Sequence, residues 1–238
     1  MKKQLSNVAI IPARLGSKRI KNKNIKIFDS KPIIEWTLKI IKSSKVFEKV
    51  VLSSDDDGIL RLGKRIGFDI LIKRPKNLAD DYTSTEEVTK HSIKKLEENF
   101  NIKKACCIYP CNPFLQIKDL KSASKLLRKS KNIYVFPVTN FSHPIERAYS
   151  YKKNGNLKYI NKKFAKTRTQ DLNVKFYDAG QFYFASKKTW LNLKKAQRVG
   201  LKIPNWRTID IDNLDDWRRA ELMFQFMKKN KKTLKKIL

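Results

Sequence analysis

The sequence predicts an α/β fold with a mainly parallel β-sheet flanked by helices. Through the first 140 residues, short apolar stretches alternate with amphipathic stretches of helical periodicity. Strands separated by helices of this length form βαβ units, in which the strands run parallel. The 238 residues contain no internal repeat and no linker. We therefore expect one domain over residues 1–238, with an inserted hairpin lobe at about 140–185.

The elements up to residue 140 are predicted from apolar periodicity and from capping residues. The stretch from Ser84 is typical of a helix start, because Ser84 or Thr85 can cap the helix and Glu87 completes a capping box with Ser84. The predicted order is a strand at 8–11, a helix at 32–43, a strand at 49–53, a helix opened by 55–57 and closed near Gly67, a strand at 68–73, a helix at 84–100, a strand at 105–110, a helix at 118–130 and a strand at 132–138.

The pattern changes after residue 140. Residues 151–160 predict a hairpin that turns at Asn154 and Gly155, and residues 180–186 alternate like a strand. Both are assigned to an insertion that flanks the main sheet. A strand at 207–211 and an amphipathic helix from Leu214 then complete the fold.

The formal charge of +32 predicts polyanionic partners, either nucleic acid or small polyanions. The 42 lysines and 12 arginines are spread along the chain, and only 228–238 form a dense run. A protein that reads nucleic acid concentrates arginine and aromatic residues on one face. The distribution therefore favours solvated lysines and a small polyanion over specific nucleic-acid binding.

Cysteine usage and hydropathy predict a protein of the cytoplasm. Cys106, Cys107 and Cys111 are an odd set within an apolar stretch, which is typical of reduced thiols that pack in a core. No stretch approaches the length needed to cross a membrane.

The loop after the first predicted strand is the first candidate site. It begins at Pro12, where a parallel sheet of this kind has its pocket. Gly16 would allow a tight turn with exposed amides, and Arg14, Lys18 and Lys23 bring positive charge to one place. This combination suits a triphosphate, although the loop is neither a P-loop nor a G-x-G-x-x-G loop.

Two carboxylates near the end of the chain are the second candidate site. Asp210 lies in the predicted strand at 207–211 and Asp212 directly follows it, so at i and i+2 of an extended chain both would point to the same face. The pair could share one Mg²⁺, which prefers carboxylate and phosphate oxygens, or it could be an ordinary surface or capping pair. The loop would then hold the polyanion and the pair would hold the metal.

The stretch IPARLGSKRIKNKN resembles the signature loop of the nonulosonic-acid cytidylyltransferases, the CMP-sialate synthetase family. Their pattern is I-P-A-R-x-x-S-K followed closely by K-N. The segments RPKNLADDYTST and IDIDNLDDW are similar to two further blocks of that family, in the same order. The resemblance implies a Rossmann-like nucleotide-diphospho-sugar transferase fold and the transfer of CMP from CTP to a nine-carbon sugar acid. It also implies a homodimer that pairs through the inserted lobe.

The resemblance assigns the nucleotide side of the site. The expected nucleotide-binding residues are Arg14, Gly16, Ser17, Lys18, Lys23 and Asn24 at the phosphates, and Arg74, Thr83 and Thr85 around the cytosine and ribose. The anomeric hydroxyl is expected to attack the α-phosphorus in line, with charge stabilised by Mg²⁺ and by the catalytic residues Arg14, Lys18 and Asp212.

The second half of the chain resembles the members of the family that use pseudaminic acid. The stretch KTRTQDLNVKFYDAGQFYF is similar to their R-S-Q-D-L and D-A-G-Q-F-Y blocks. The stretch CIYPCNPF departs from both the pseudaminate and the sialate patterns, so N-acetylneuraminic and legionaminic acid stay open as alternatives. The expected sugar-binding residues are Tyr109, Arg168, Gln170, Asp178, Gln181 and Tyr183.

Overall fold

The computed structural model describes residues 2–230, so residues 231–238 of the basic run lie outside the described part of the chain. The elements are β1 (Lys3–Pro12), β2 (Ile27–Phe28), β3 (Lys31–Pro32), α1 (Ile33–Ser44), β4 (Lys49–Ser54), α2 (Asp57–Ile66), β5 (Ile70–Lys73), α3 (Thr85–Glu97), β6 (Phe100–Ile108), α4 (Ile117–Lys129), β7 (Ile133–Asn140), β8 (Tyr149–Tyr151), β9 (Leu157–Tyr159), β10 (Phe176–Asp178), β11 (Phe182–Ser186), α5 (Lys187–Leu191), β12 (Gln197–Lys202) and α6 (Leu214–Lys229).

The central sheet confirms the predicted fold class. Its order is β10-β7-β11-β6-β1-β4-β5, with β12 beside β7. Strand β1 lies between β4 and β6 and is parallel to both, and β5 is parallel to β4. Helices cover the two faces. This half of the sheet is the βαβ arrangement that the alternating pattern predicts.

Strand β11 does not lie where the sequence interpretation placed it. The prediction assigned residues 180–186 to an insertion beside the main sheet, but β11 runs antiparallel between β6 and β7 in the centre of that sheet. Phe182 and Phe184 face one apolar cluster, whereas Ala185 and the partly buried Tyr183 face the other, so both faces of this strand are covered. Within the residues predicted as the insertion, the hairpin β8–β9 forms its own small sheet, with Gly155 at a φ of +84° in the turn.

The predicted strand at 207–211 is wrong. Residues 205–207 form a 3₁₀ turn, and residues 208–213 pair with no strand. Ile209 and Ile211 pack into an apolar cluster with α6, while the two aspartates point to the cleft described below. The alternation is thus real, but it arises from packing of the isoleucines and not from a β-ladder. The strand that this part of the chain does contribute is β12, which sequence analysis missed.

Apolar clusters on both faces of the sheet hold the fold together. Along β1, Ala9 and Ile11 face one cluster, whereas Val8 and Ile10 face the other. Burial on both faces explains the continuous apolar run of this strand. A third cluster packs α6 against the loop that follows β1. This packing brings the C-terminal segment next to the basic loop.

The predicted caps are present and fix where helices begin. The Ser84 side chain accepts a hydrogen bond from the Glu87 amide and forms the capping box at the start of α3. The Asp56 carboxylate accepts from the Ile59 amide at the start of α2, and Gly67 ends that helix at a φ of +99°. Only glycine adopts this conformation without strain.

Two glycines provide a matched test of the packing. A Cβ at Gly63 in α2 would lie 2.2 Å from the buried Leu52 Cδ2, whereas a Cβ at Gly16 would meet no atom within 4 Å. We expect Gly63→Ala to lower the free energy of unfolding by about 1–3 kcal/mol, although alanine is the better helix former. Gly16→Ala should leave it unchanged. Urea denaturation measures both, and equal stability of the two variants would contradict the close contact of α2 with β4.

Candidate active site

A cleft of ≈ 740 Å³ opens at the carboxyl ends of the parallel strands. Pro12 at the end of β1, Arg74 just after β5 and Tyr109 just after β6 contribute to its walls. This is the position at which an open parallel sheet binds ligands. The C-terminal segment before α6 closes the opposite side.

Most of the predicted phosphate residues line this cleft. The side chains are Arg14, Ser17, Lys18, Lys23 and Asn24. Asn24 is buried, and its Nδ2 donates a hydrogen bond to the Arg14 carbonyl oxygen at 2.8 Å, which holds the two ends of the loop together. Gly16 is not part of the lining and does not have a positive φ. The turn at this position therefore uses no backbone conformation that is reserved for glycine, and the expected contact of Gly16 with the nucleotide stays a prediction.

Asp81 forms ion pairs with two cations of the basic loop, Arg14 and Lys18. Its carboxylate lies 2.7 Å from an Arg14 guanidinium nitrogen and 2.5 Å from Lys18 Nζ. Hydrogen bonds from Lys18 and Arg14 hold the pKa of Asp81 below its usual value. Arg14 also donates to the Asp80 carbonyl oxygen. A polyanion that enters the cleft would compete with Asp81 for these two cations.

The two predicted carboxylates reach the same cleft from the other side. Asp212 lies 2.8 Å from an Arg19 guanidinium nitrogen and 3.5 Å from Lys23 Nζ, and Lys23 also donates to the Ile211 carbonyl oxygen. Burial raises the pKa of Asp210, and the charge of the neighbouring Asp212 adds to this effect. The acidic pair and the basic loop thus meet directly.

Arg74 is a buried cation with unused donors. Its side chain is only 4% exposed, and its Nε and one terminal nitrogen have no hydrogen-bond partner. Asp55 lies 3.6 Å away, and burial lowers the pKa of the guanidinium. Buried donors without partners are costly. Arg74 lines the cleft, and its only carboxylate partner among residues 2–230 is Asp55, so its charge is available to a ligand there.

Thr83 and Thr85 line the same part of the cleft. Asp80 accepts hydrogen bonds from the amide and hydroxyl groups of Thr83, which shapes the loop before α3. The Thr85 hydroxyl lies 2.9 Å from the Tyr109 hydroxyl. This contact links the predicted nucleotide side to the predicted sugar side.

The predicted sugar residues divide into three groups. Tyr109 and Gln181 line the cleft. Asp178 and Tyr183 do not line the cleft. The Tyr183 hydroxyl donates to an Asp178 carboxylate oxygen at 2.9 Å. Burial raises the pKa of Tyr183, and Tyr109 and Asp178 contribute further.

Arg168 and Gln170 form the third group, which is not brought to the cleft. Both lie in the segment between β9 and β10, and Arg168 is exposed and pairs with Asp171 at 2.9 Å. Their predicted contact with a sugar acid stays a prediction.

The structure adds site residues that sequence reasoning missed, namely Arg19, Asp81, Cys111 and Asn112. The Cys111 thiol donates to Asn24 Oδ1, and burial raises its pKa to about 12. Cys111 therefore forms part of the cleft wall, whereas Cys106 and Cys107 are buried in the core as predicted. Arg19 belongs to the basic loop, and its charge was the one available signal. Asp81 lies in the stretch RPKNLADDYTST that resembles a family block, which was a signal for it, whereas Asn112 carries no local signal.

Comparison with known proteins identifies the family. A family model described as "Cytidylyltransferase" matches residues 8–224. The chain belongs to the cytidylyltransferase family. It is 35% identical over 225 residues to pseudaminic acid cytidylyltransferase of Campylobacter jejuni serotype O:2, with 93% of this chain and 97% of that relative covered. It is 28% identical to N-acylneuraminate cytidylyltransferase of Escherichia coli O18:K1:H7, with 95% of this chain and 54% of that relative covered.

Solved structures support the fold of this cytidylyltransferase. The chain is similar to CMP:2-keto-3-deoxy-manno-octonic acid synthetase complexed with CTP, at a TM-score of 0.70 and 13% identity. The match covers 92% of this chain and 98% of that structure. At this identity the likeness shows the fold alone. Among residues 2–230, no helix has the length and apolar character that a membrane span requires.

Proposed function

We propose that this cytidylyltransferase transfers CMP from CTP to the anomeric hydroxyl of a nonulosonic acid, with pseudaminic acid as the preferred substrate, and releases pyrophosphate. The observation that carries the proposal is the meeting of the basic loop and the acidic pair in one cleft, with Asp212 within 3.5 Å of Lys23. The 35% identity to a pseudaminic acid cytidylyltransferase over nearly the whole chain supports the choice of sugar.

The nucleotide occupies the end of the cleft formed by the basic loop and Arg74. Arg14 and Lys18 exchange their contact with Asp81 for the phosphate groups, so that both cations have an anionic partner before and after binding. The unused donors of Arg74 bind an acceptor of the cytosine or ribose, next to Thr83 and Thr85. Binding then satisfies a buried group that is otherwise unpaired.

The donor set of the acidic pair fits Mg²⁺. Among residues 2–230 there is no cluster of three or more histidine, cysteine or acidic side chains that could hold a metal alone. Asp210 and Asp212 supply oxygen ligands only, and both line the cleft. Mg²⁺ is usually held by one or two carboxylates together with substrate phosphates. When bound, it neutralises charge on the triphosphate.

The chain's own residues then position and stabilise the transfer. Arg14 and Lys18, once turned from Asp81 to the phosphates, stabilise negative charge on the phosphoryl group under attack. Arg19 and Lys23 hold the Asp212 carboxylate in place. In-line attack by a hydroxyl group requires no covalent intermediate with the protein.

Location and assembly are part of the proposal. CTP is a cytoplasmic metabolite, so we place the protein in the cytoplasm. We infer a homodimer that pairs through the segment between β7 and β10. This segment leaves Tyr151, Leu157, Ile160 and Val174 between 60% and 76% exposed, and clustered exposed apolar side chains are typical of an interaction surface.

Product analysis tests the proposed function. The protein is incubated with CTP, MgCl₂ and, in separate reactions, pseudaminic, N-acetylneuraminic and legionaminic acid. We expect a CMP-sugar and equimolar pyrophosphate, with the highest kcat/KM for pseudaminic acid. A higher kcat/KM for another acid would contradict the choice of sugar. Absence of a CMP-sugar in all reactions would contradict the activity.

A further inference from the structure

The acidic pair lies in a segment that is not held by a β-ladder. Residues 208–213 pair with no strand of the described chain. The ligand distances of a metal site vary by only about 0.2 Å, so the backbone that carries Asp210 and Asp212 has to be fixed. In a sheet, regular hydrogen bonds to the neighbouring strands would fix it. Here other contacts do so.

Hydrogen bonds hold the peptide groups on both sides of the Asp212 Cα. Lys23 Nζ donates to the Ile211 carbonyl oxygen at 2.7 Å. The Asp212 amide, which belongs to the same peptide group, donates to Asp216 Oδ2 at 3.2 Å, and the Asn213 amide donates to the same oxygen at 3.2 Å. The Cα of Asp212 lies between these two peptide groups. Asp216 therefore fixes the direction in which the Asp212 side chain leaves the backbone.

Helix α6 fixes Asp216 in turn. Asp216 lies in the first turn of this helix, and its own amide donates to Asn213 Oδ1 at 2.9 Å. The next residue, Trp217, is 4% exposed and packs edge to face against the fully buried Phe28 at 5.4 Å between ring centroids. The position of Asp216 is thus tied to the apolar core.

The contact with the Asp212 amide goes beyond what the helix requires. The capping box at the start of α6 is complete with the Asn213 amide alone, whereas the Asp212 amide lies outside the helix. Asp216 does not line the cleft. Among residues 2–230 no group of three or more acidic, histidine or cysteine side chains could hold a metal. Asp216 is therefore placed to act through Asp212 and not as a third ligand.

We propose that Asp216 is a positioning residue for Asp212. By holding the two amides that flank the Asp212 Cα, it sets the placement of the carboxylate and thereby the affinity of the cleft for Mg²⁺ together with CTP. The inference rests on the proposed function, which assigns Asp212 to the metal, and it adds a residue outside the cleft to that site.

Two neutral variants separate the hydrogen bonds of Asp216 from its charge. Asp216→Ala removes the acceptor of both amides, whereas Asp216→Asn keeps one acceptor oxygen and removes only the charge. Loss of a residue that orients a metal ligand typically lowers metal affinity by about 10- to 100-fold. We expect the Mg²⁺ concentration needed for half of the gain in CTP affinity to rise roughly tenfold in Asp216→Ala and less than about threefold in Asp216→Asn.

The test is a set of calorimetric titrations of CTP into each protein at Mg²⁺ concentrations from zero to saturation. No sugar acid is present, so the readout is binding and does not depend on turnover. Without Mg²⁺ the two variants should bind CTP equally well, because both lack the same charge and Asp216 makes no hydrogen bond or ion pair with the basic loop among the described residues.

Ser186→Ala is the control for a merely structural role. The Ser186 hydroxyl caps α5 by accepting from the Thr189 amide at 3.0 Å, and Ser186 does not line the cleft. Loss of this cap should lower the midpoint of urea denaturation, as should Asp216→Ala. The Mg²⁺ requirement of Ser186→Ala should nevertheless equal that of the wild type.

Four results would overturn the inference. They are a wild-type Mg²⁺ requirement in Asp216→Ala, an equal rise in Asp216→Ala and Asp216→Asn, an equal rise in Ser186→Ala, and loss of Mg²⁺-free CTP binding in Asp216→Ala, which would show that Asp216 supports the whole cleft. Each of these would leave CMP transfer intact. Absence of a CMP-sugar from the wild type with every sugar acid would instead contradict the proposed function itself.

Discussion

Asp212→Asn is expected to lower kcat/KM for CTP by roughly 100-fold or more, in line with the loss of one fixed electrostatic group in an active site. The substitution removes the charge that pairs with Arg19 and Lys23 and half of the acidic pair proposed to hold Mg²⁺. Stability should change little, because the Asp212 side chain is 34% exposed and its ion pairs are partly solvated. The assay is pyrophosphate release with CTP and the sugar acid.

The control for this prediction is Asp215→Asn. Asp215 lies three residues further along, is 92% exposed and pairs only loosely with Arg218 at 3.4 Å. It should keep wild-type turnover. Full activity of Asp212→Asn across a range of Mg²⁺ concentrations would remove Asp212 from the mechanism.

The largest effect on stability is expected for Asp119→Ala. Asp119 at the start of α4 forms an ion pair with Arg207 at 2.6 Å, and both side chains are buried. Removing one partner leaves an uncompensated buried charge, which costs about 3–5 kcal/mol of unfolding free energy. Chemical denaturation monitored by tryptophan fluorescence measures this loss.

A double variant separates the charge effect from packing. Asp119→Leu combined with Arg207→Met replaces the pair by apolar side chains of similar size and should be much more stable than Asp119→Ala, because no charge is left unpaired. A cost below about 1 kcal/mol for Asp119→Ala would show that the ion pair does not anchor the chain segment at Arg207.

Since the Arg207 carbonyl oxygen accepts from Gln181, we also expect Asp119→Ala to raise KM for the sugar acid.

The sequence predicts those elements of the fold for which a local residue pattern can arise from only one kind of structure. β1 is apolar because it is buried on both faces, and α3 begins just after Ser84 because that side chain caps its first turn. The prediction of a strand at 207–211 was wrong because alternation of apolar and polar residues can arise in two ways, from a β-strand or from packing against a helix. Ile209 and Ile211 are drawn inward by α6, so the period of two appears without any strand.

Strand β12 was missed for a related reason. Its charged residues, together with Gly200 in its interior, weaken the strand pattern, and it pairs only with β7. β11 was recognised as a strand, but its place between β6 and β7 depends on pairing partners distant in sequence. Local patterns do not encode such pairings.

The candidate site divides in the same way. The basic loop was predictable because its charges are consecutive in the chain and follow a buried strand. The partners of these charges were not, because Asp81 reaches Arg14 across 67 positions and Arg19 reaches Asp212 across 193.

The most direct test of the central claim is a calorimetric titration of CTP into the wild type and into Asp212→Asn, each with and without Mg²⁺. If the basic loop and the acidic pair act on one triphosphate, Mg²⁺ should strengthen CTP binding by the wild type about tenfold or more, and this gain should disappear in Asp212→Asn. The same gain in both proteins would contradict the claim.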